Sequence, residues 1–294
     1  MSVTVRPIVV GWDTSPGAQQ AVRWAADWAR RWGRPLRLIF AVESPAAELG
    51  GVAFAYAQTF TPEEVDAIFE PALQIIETVA AGHPVSTEAI EGHPASVLIQ
   101  ATKSADLVVL GTRGHSRLVS TLIGSVSDAV ASHGFCPVVV ARGDSDSIDS
   151  QAPVVVGADG SRISHQAVLF AAKFADAAGT RLVAVCAAPD PVQLIAPEVI
   201  VDVGHAQEVH DHAQRYLGEA IGGLRQDYPD LVIDTRIVDV PAGLALTEVA
   251  ADVAAQLVVV GSHGRGGFTG MLLGSVSRTV LHHARCPVAV LRSH

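Results

Sequence analysis

Short unbroken apolar runs alternate along this chain with longer stretches in which apolar residues recur every three or four positions. Ile8-Val9-Val10, set between Pro7 and Gly11, reads as a short strand buried on both faces. Ser15-Pro16 then offers an N-cap and a proline at the first helical position. Ala18, Ala21, Val22, Ala25, Trp28, Ala29 and Trp32 follow at helical period, until Gly33 and Pro35 stop the pattern. Leu36 to Val42 is a second strand, so the chain opens with a βαβ unit whose crossover is expected to be right-handed. Glu43 to Phe60 has no period and reads as a covering loop. Thr61-Pro62-Glu63-Glu64 is a capping box, opening a helix with Val65, Ile68, Phe69, Ala72, Ile75, Ile76 and Val79 and a kink expected at Pro71. Val85 to Ile90 is partly polar, as suits an edge strand. A helix over 95–104 with Val97, Leu98 and Ala101 inward and a fourth strand at Leu107 to Leu110 come next. A helix bearing Val126, Ala129, Val130 and His133 ends at Gly134, and a fifth strand covers Cys136 to Val140.

The programme then restarts. An acidic, period-free stretch from Gly143 to Ser150 separates Val154-Val155-Val156-Gly157-Ala158-Asp159 from the segment it repeats, Ile8 to Asp13. Ala167, Val168, Ala171, Ala175 and Ala178 repeat the first helix, with Gly179 as its stop, and Leu182 to Ala188 repeats the second strand. A helix from about His205 to Gln226, a strand from Leu231 to Val238, a helix near Leu244 to Val253 and strands at Leu257 to Val260 and Cys286 to Leu291 complete the second half. The reading is two doubly wound, Rossmann-like α/β domains in tandem, each with a parallel five-stranded sheet. Their expected bounds are 1–142 and 153–294, with 143–152 as linker.

The sharpest chemical signal follows the fourth strand of each half. Gly111 to Ser127 reads G-x2-G-x9-G-S-V-S, and Gly261 to Ser277 repeats it at the same spacing. In doubly wound sheets ligands bind beyond the carboxyl ends of the strands, where strand order reverses. Glycines at such an end let backbone approach a ligand closely. Gly124-Ser125-Val126-Ser127 and Gly274-Ser275-Val276-Ser277 each open a helix, whose free N–H groups and positive dipole end favour phosphate, with serine hydroxyls to add hydrogen bonds. A Walker loop is excluded because the only lysines are Lys103 and Lys173, and Gly11-Trp12-Asp13 does not supply a dinucleotide fingerprint.

Composition narrows the function classes. With 49% apolar and 17% charged residues in 294, the chain is globular and long enough for two cores. A formal charge of −10 and the lack of a Lys/Arg run speak against nucleic acid. No apolar run approaches the ~18 residues of a membrane span, and no signal pattern opens the chain, so a soluble, cytoplasmic protein without a membrane partner is expected. Cys136, Cys186 and Cys286 lie in or beside apolar runs without a C-x-x-C pair, as buried free thiols would.

These motifs resemble the universal stress protein family in its tandem form, over nearly the whole chain. The resemblance rests on the doubled glycine motif, on V-V-G-x-D at Val9 to Asp13 and Val155 to Asp159, on D-L-V-V-L-G-T-R-G from Asp106 to Gly114, and on the C-P-V-V-V strand. It implies the adenine nucleotide alpha hydrolase-like variety of the Rossmann-like fold and one ATP per domain. Adenine would lie near Val10, Gly11, Asp13 and Val42 in the first half, with ribose and phosphates on Gly111, Arg113, Gly114, Gly124, Ser125, Val126 and Ser127. The matching positions are Val156 to Asp159 (Val156, Gly157, Ala158 and Asp159), Ala188, Gly261, His263, Gly264, Gly274, Ser275, Val276 and Ser277; Arg265, beside Gly264, reads either as a further phosphate contact or as a solvated loop arginine. Asp13 and Asp159 are lone carboxylates; they read as polar contacts to the nucleotide or to a phosphate-bound Mg2+ rather than as catalytic bases. Ala188 stands where the first half has Val42, and His263 where it has Arg113, so unequal affinities are expected.

The resemblance further implies that the halves pair through their last strands, Val138 to Ala141 with Val288 to Leu291, and that chains associate as homodimers with a regulatory protein partner. A regulatory role in stress response or growth control is the expectation, with at most slow ATP hydrolysis. Two other readings stay open: an adenylyl- or phosphoryl-transfer enzyme, and a nucleotide-free interaction scaffold. His210 and His212 are two apart on a helix and His205 lies further off, so they read as solvated rather than metal-binding; Trp24, Trp28 and Trp32 read as a packing face.

Overall fold

The first apolar run becomes strand β1 (Ile8–Gly11), and Ser15 turns the chain into helix α1 (Pro16–Trp32). Ser15 is extended (φ −67°, ψ 159°), and its hydroxyl accepts the Ala18 N–H at 3.2 Å, satisfying one of the donors that every helix start leaves unpaired. Gly33, at φ 59°, ends the helix in the left-handed region. Strand β2 (Leu36–Val42) follows. Helix α2 (Pro62–Val79) carries both bonds of its capping box, Thr61 Oγ1 accepting from Glu64 N and the Glu64 carboxylate from Thr61 N, and it runs on through Pro71. Strand β3 (Val85–Glu91), helix α3 (Pro94–Ala101), strand β4 (Leu107–Gly111), helix α4 (Ser125–His133) and strand β5 (Val138–Ala141) complete the first half. This computed structural model describes residues 5–43, 61–112, 123–143, 151–189, 203–264 and 272–292. The expected covering loop after Glu43 and most of the 143–152 linker lie outside them.

The second half repeats the order as β6 (Val154–Gly157), α5 (Arg162–Ala178), β7 (Leu182–Ala187), α6 (Val203–Gly222), α7 (Leu224–Asp227), β8 (Ile233–Val238), α8 (Ala242–Asp252), β9 (Leu257–Gly261), α9 (Ser275–His283) and β10 (Val288–Leu291). Two compact units result, Met1–Ser145 and Asp146–His294. In the first the strands lie in the order β3-β2-β1-β4-β5, all parallel; in the second the order is β8-β7-β6-β9-β10, again all parallel. Each chain path runs outward from its first strand and then crosses to that strand's other side, so the order reverses between β1 and β4, and between β6 and β9. Central strands are closed to solvent on both faces, which is why they read as continuous Val/Leu/Ile runs, whereas β3 is mostly exposed.

Several boundaries move for local reasons. The helix expected to run to Gln226 breaks at Gly222-Gly223, two poor helix formers in succession. Helix α3 stops at Ala101, three residues early; Thr102 Oγ1 donates back to the Ile99 carbonyl at 2.5 Å, and Ala95, Leu98 and Ala101 are the buried positions while Val97 is half-buried. β5 and β10 begin after their prolines, which lack the N–H needed to join a ladder, although the Pro137 and Pro287 carbonyls still accept from Val108 and Val258. Ser127, not Val126 or Ala129, faces inward with Val130 at the start of α4.

Candidate functional site

At the carboxyl end of β6, Asp159 is held before it meets any ligand. Its Oδ1 accepts the Ser161 N–H at 2.9 Å, while Ser161 Oγ caps α5 by accepting from Ser164 N at 3.2 Å. In the first unit Asp13 Oδ1 accepts both the N–H (3.0 Å) and the O–H (2.5 Å) of Ser15, the residue that caps α1. The strand-one aspartate thus anchors the turn that starts the next helix, a role in addition to the ligand contact expected of it.

Across the reversal point stands the glycine loop. In the second unit its two ends close on Ser262: the Ser262 carbonyl accepts the Gly274 N–H at 2.7 Å and the Ser277 hydroxyl at 2.9 Å. A Cβ on Gly274 would lie 3.3 Å from that same carbonyl oxygen, and one on Gly264 would lie 2.5 Å from Asp159 Oδ2, so both positions are close backbone approaches. Gly274, extended at φ −71° and ψ 164°, starts α9 without a side-chain cap. The N-terminal N–H groups of α9 therefore open beside Ser275 and Val276. In the first unit Gly124 N donates to the Thr112 carbonyl at 2.6 Å and Ser127 Oγ to the Gly111 carbonyl at 2.7 Å, and α4 likewise starts without a side-chain cap. Ser127 and Ser277, only 5% and 1% exposed, spend their hydroxyl protons bracing the loop, so Ser125 and Ser275, both exposed, are the hydroxyls placed to reach a ligand.

Between these features the second unit encloses a cavity of about 420 Å³, within the ordinary range for small-molecule sites. The structure brings Gly157, Asp159, Gly261, His263, Gly264, Gly274, Ser275, Val276 and Ser277 together around it. Val156 is fully buried in the sheet and Ala188 turns its backbone N–H to Val238 O, so neither lines the wall. Arg265 lies outside the described residues. Ala158 falls within the expected range from Val156 to Asp159, but the rest of the apolar wall escaped the sequence reading: Val185 and Ala187 of β7, Ala242 and Leu246 of α8, and Val260, with Ser164 from α5. A signal existed, since Val185 and Ala187 are two apart on a strand and Ala242 and Leu246 four apart on a helix, each pair sharing a face. In the first unit Gly11, Asp13, Gly111, Gly124, Ser125, Val126 and Ser127 all lie at the carboxyl ends of β1 and β4 or at the start of α4. Val10 is fully buried, Val42 sends its carbonyl to the Gly92 N–H, and Arg113 and Gly114 lie outside the described residues.

The lining combines apolar side chains, suited to a base, with glycine backbone and an uncapped helix start, suited to phosphate. A Mg2+ ion fits only as a companion of phosphate: among the described residues no three His, Cys, Asp or Glu cluster to hold a metal, and Asp159 is the single carboxylate on the wall.

The Universal stress protein family model matches residues 4–142 and again 152–292. The chain belongs to the universal stress protein family. A universal stress protein of Mycolicibacterium smegmatis is 36% identical over 303 residues, covering 99% of this chain and 98% of that one. One from Mycobacterium tuberculosis is 38% identical over 299 residues, covering 97% and 96%. A solved universal stress protein from Archaeoglobus fulgidus shares the fold with a TM-score of 0.69 at 19% identity, over 98% of this chain and 99% of that one.

Other candidate chemistry of this universal stress protein resolves to packing. Trp24 and Trp28 are 8% and 3% exposed, and the Trp24–Trp28 and Trp28–Trp32 ring centroids lie 5.8 and 5.3 Å apart, which makes the stripe a packed face. His210 and His212 are exposed. All three cysteines are buried and none forms a disulfide, and the Cys136 thiol is pushed up to about 12, chiefly by burial and then by Asp106, so it stays an unreactive thiol at neutral pH. No helix among the described residues is long and apolar enough to cross a membrane.

Proposed function

We propose that this tandem universal stress protein binds one ATP in each unit and acts as a nucleotide-dependent regulator, its occupancy setting conformation or choice of protein partner in stress response or growth control. The observation that carries the reading is the second unit's cavity, lined by apolar side chains together with Gly261, Gly264 and Gly274 and an uncapped helix start. Base would lie against Val185, Ala187 and Leu246, and phosphates against Gly264, Gly274 and the first N–H groups of α9, with Mg2+ held mainly by the phosphates. The repeat of the same motif supports a second ATP in the first unit. A homodimer of tandem chains belongs to the same reading.

Native mass spectrometry of the full chain with MgATP tests it. The expected result is two ATP per chain with negligible turnover, falling to one in Gly124→Leu and in Gly274→Leu separately. Two ATP retained in both variants would overturn the site assignment. Rapid turnover with a second substrate would replace the regulator by a transferase, and no binding at millimolar ATP would leave a nucleotide-free scaffold.

A further inference from the structure

The floor at the carboxyl end of the sheet is not the same in the two units. In each, the strand-one glycine lies between two apolar neighbours, and residues paired in register across parallel strands share a face. In the second unit the row is Val185, Gly157 and Val260: Gly157 pairs with Val185, and Val260 stands beside it, one residue past the Val156–Val259 pair. All three line the cavity. In the first unit the row is Ile39, Gly11 and Leu110: Gly11 pairs with Ile39, and Leu110 is one residue past the Val10–Val109 pair. On both sides of the glycine the first unit therefore carries one carbon more.

A glycine leaves a gap in such a row, and only the first unit fills it from the sheet. A Cβ on Gly11 would lie 2.6 Å from Leu110 Cδ2, so the leucine reaches across the strand and occupies the space above the glycine. The atoms nearest a Cβ on Gly157 all belong to Leu246, at 3.1 to 3.9 Å. Val260 has no δ carbon to reach over, and the gap stays part of the cavity. The covering helices do not make the difference, since Leu98 Cδ1 of α3 and Leu246 Cδ1 of α8 approach their glycines equally, at 3.1 Å. Ile39, Leu98 and Leu110 are all buried, so the leucine has close-packed neighbours rather than open space to retreat into.

Building on the nucleotide reading above, we propose that Leu110, backed by Ile39, is a specificity-determining residue that raises the floor of the first site, so that the second unit prefers a purine over a pyrimidine base more strongly than the first. A purine, the longer ring system, loses more from a raised floor than a pyrimidine does. One methylene in an apolar pocket is worth about 10- to 200-fold in discrimination. The lower end applies where a single side chain can turn aside at some cost.

The test is calorimetric titration of MgATP and MgCTP into the full chain, with Gly274→Leu to read the first site and Gly124→Leu to read the second. The two ligands carry the same triphosphate, so their affinity ratio at each site cancels the phosphate contacts, which differ between the loops. The ATP-to-CTP ratio should be about tenfold larger at the second site. Adding Leu110→Val should raise the first site's ratio toward that of the second, and adding Val260→Leu should lower the second site's by about tenfold. Val260→Leu fills open space, so its thermal unfolding without ligand should not fall, which separates a raised floor from a damaged fold. Equal ratios at the two sites, or ratios that neither exchange moves, would overturn the proposal while leaving ATP binding in place. No ATP at either site would take down both.

Discussion

The two units make the same turn after their first strands with glycine in different corners of it. In the first unit the turn is Asp13-Thr14-Ser15-Pro16-Gly17; in the second it is Asp159-Gly160-Ser161-Arg162-Ile163. Both need a left-handed residue after the aspartate, and Gly160 meets that need at φ 75° without strain while Thr14 adopts φ 66° against its own Cβ. Four residues after the aspartate the choice is reversed. Gly17 lets the backbone of α1 press on Gly111, whereas Ile163 fills the equivalent place beside Gly261 with a side chain. The same site frame is thus built once by backbone on backbone and once by a side chain, and the first version tolerates less change.

The largest expected effect is at the floor of the loops. A Cβ on Gly111 would lie 2.5 Å from the Gly17 carbonyl oxygen, which cannot move without shifting α1, while a Cβ on Gly261 would lie 3.0 Å from side-chain carbons of Ile163. Gly111→Ala should therefore cost about 3 kcal/mol and Gly261→Ala about 1 kcal/mol, the two ends of the range for overpacking, as measured by urea denaturation of the full chain. Equal costs would break the comparison. Next comes the left-handed corner: Thr14→Gly should stabilise the first unit by about 1 kcal/mol and Gly160→Thr should destabilise the second by a similar amount, with hydrogen exchange reporting which unit changes. If Thr14→Gly lowers stability, the threonine side chain earns its place by contacts that outweigh its strain. The smallest effect is at Ser164, a hydroxyl on the second unit's cavity wall where the first unit has Ala18. Its Oγ donates to the Ser161 carbonyl at 3.0 Å and accepts from Asp159 N at 3.3 Å, so Ser164→Ala should cost about 0.5–1 kcal/mol in thermal unfolding and Ala18→Ser should not repay it in the first unit.

Much of this fold was legible because its signals are local. Ser15, Gly33, Thr61 with Glu64, and Gly179 mark helix ends through bonds made within a few residues, and the central strands declare themselves as unbroken Val/Leu/Ile runs buried on both faces. Where local signals were weak the reading slipped, as at Gly222-Gly223, where a pair of poor helix formers divided a helix that periodicity alone had joined. The phosphate end of the candidate site was equally legible, since glycines and a helix start sit together in one short motif.

The other end was not. Val185, Ala187, Ala242 and Leu246 are ordinary core residues in composition and period, and only the parallel order β8-β7-β6-β9-β10 brings the end of β7 and the start of α8 to the cavity that Gly261, Gly264 and Gly274 also line. The same holds for the aspartates, whose place at a strand end pointed to a ligand contact and whose carboxylates also hold Ser15 and Ser161 in place, a second role only the folded turn reveals. Sequence by itself determined the repeat, the two sheets and the glycine motifs, because backbone conformation and capping depend on neighbours along the chain. Tertiary structure decided which side chains share a cavity and which hydroxyls are already spent, because those depend on distances across strands that no spacing in the sequence records.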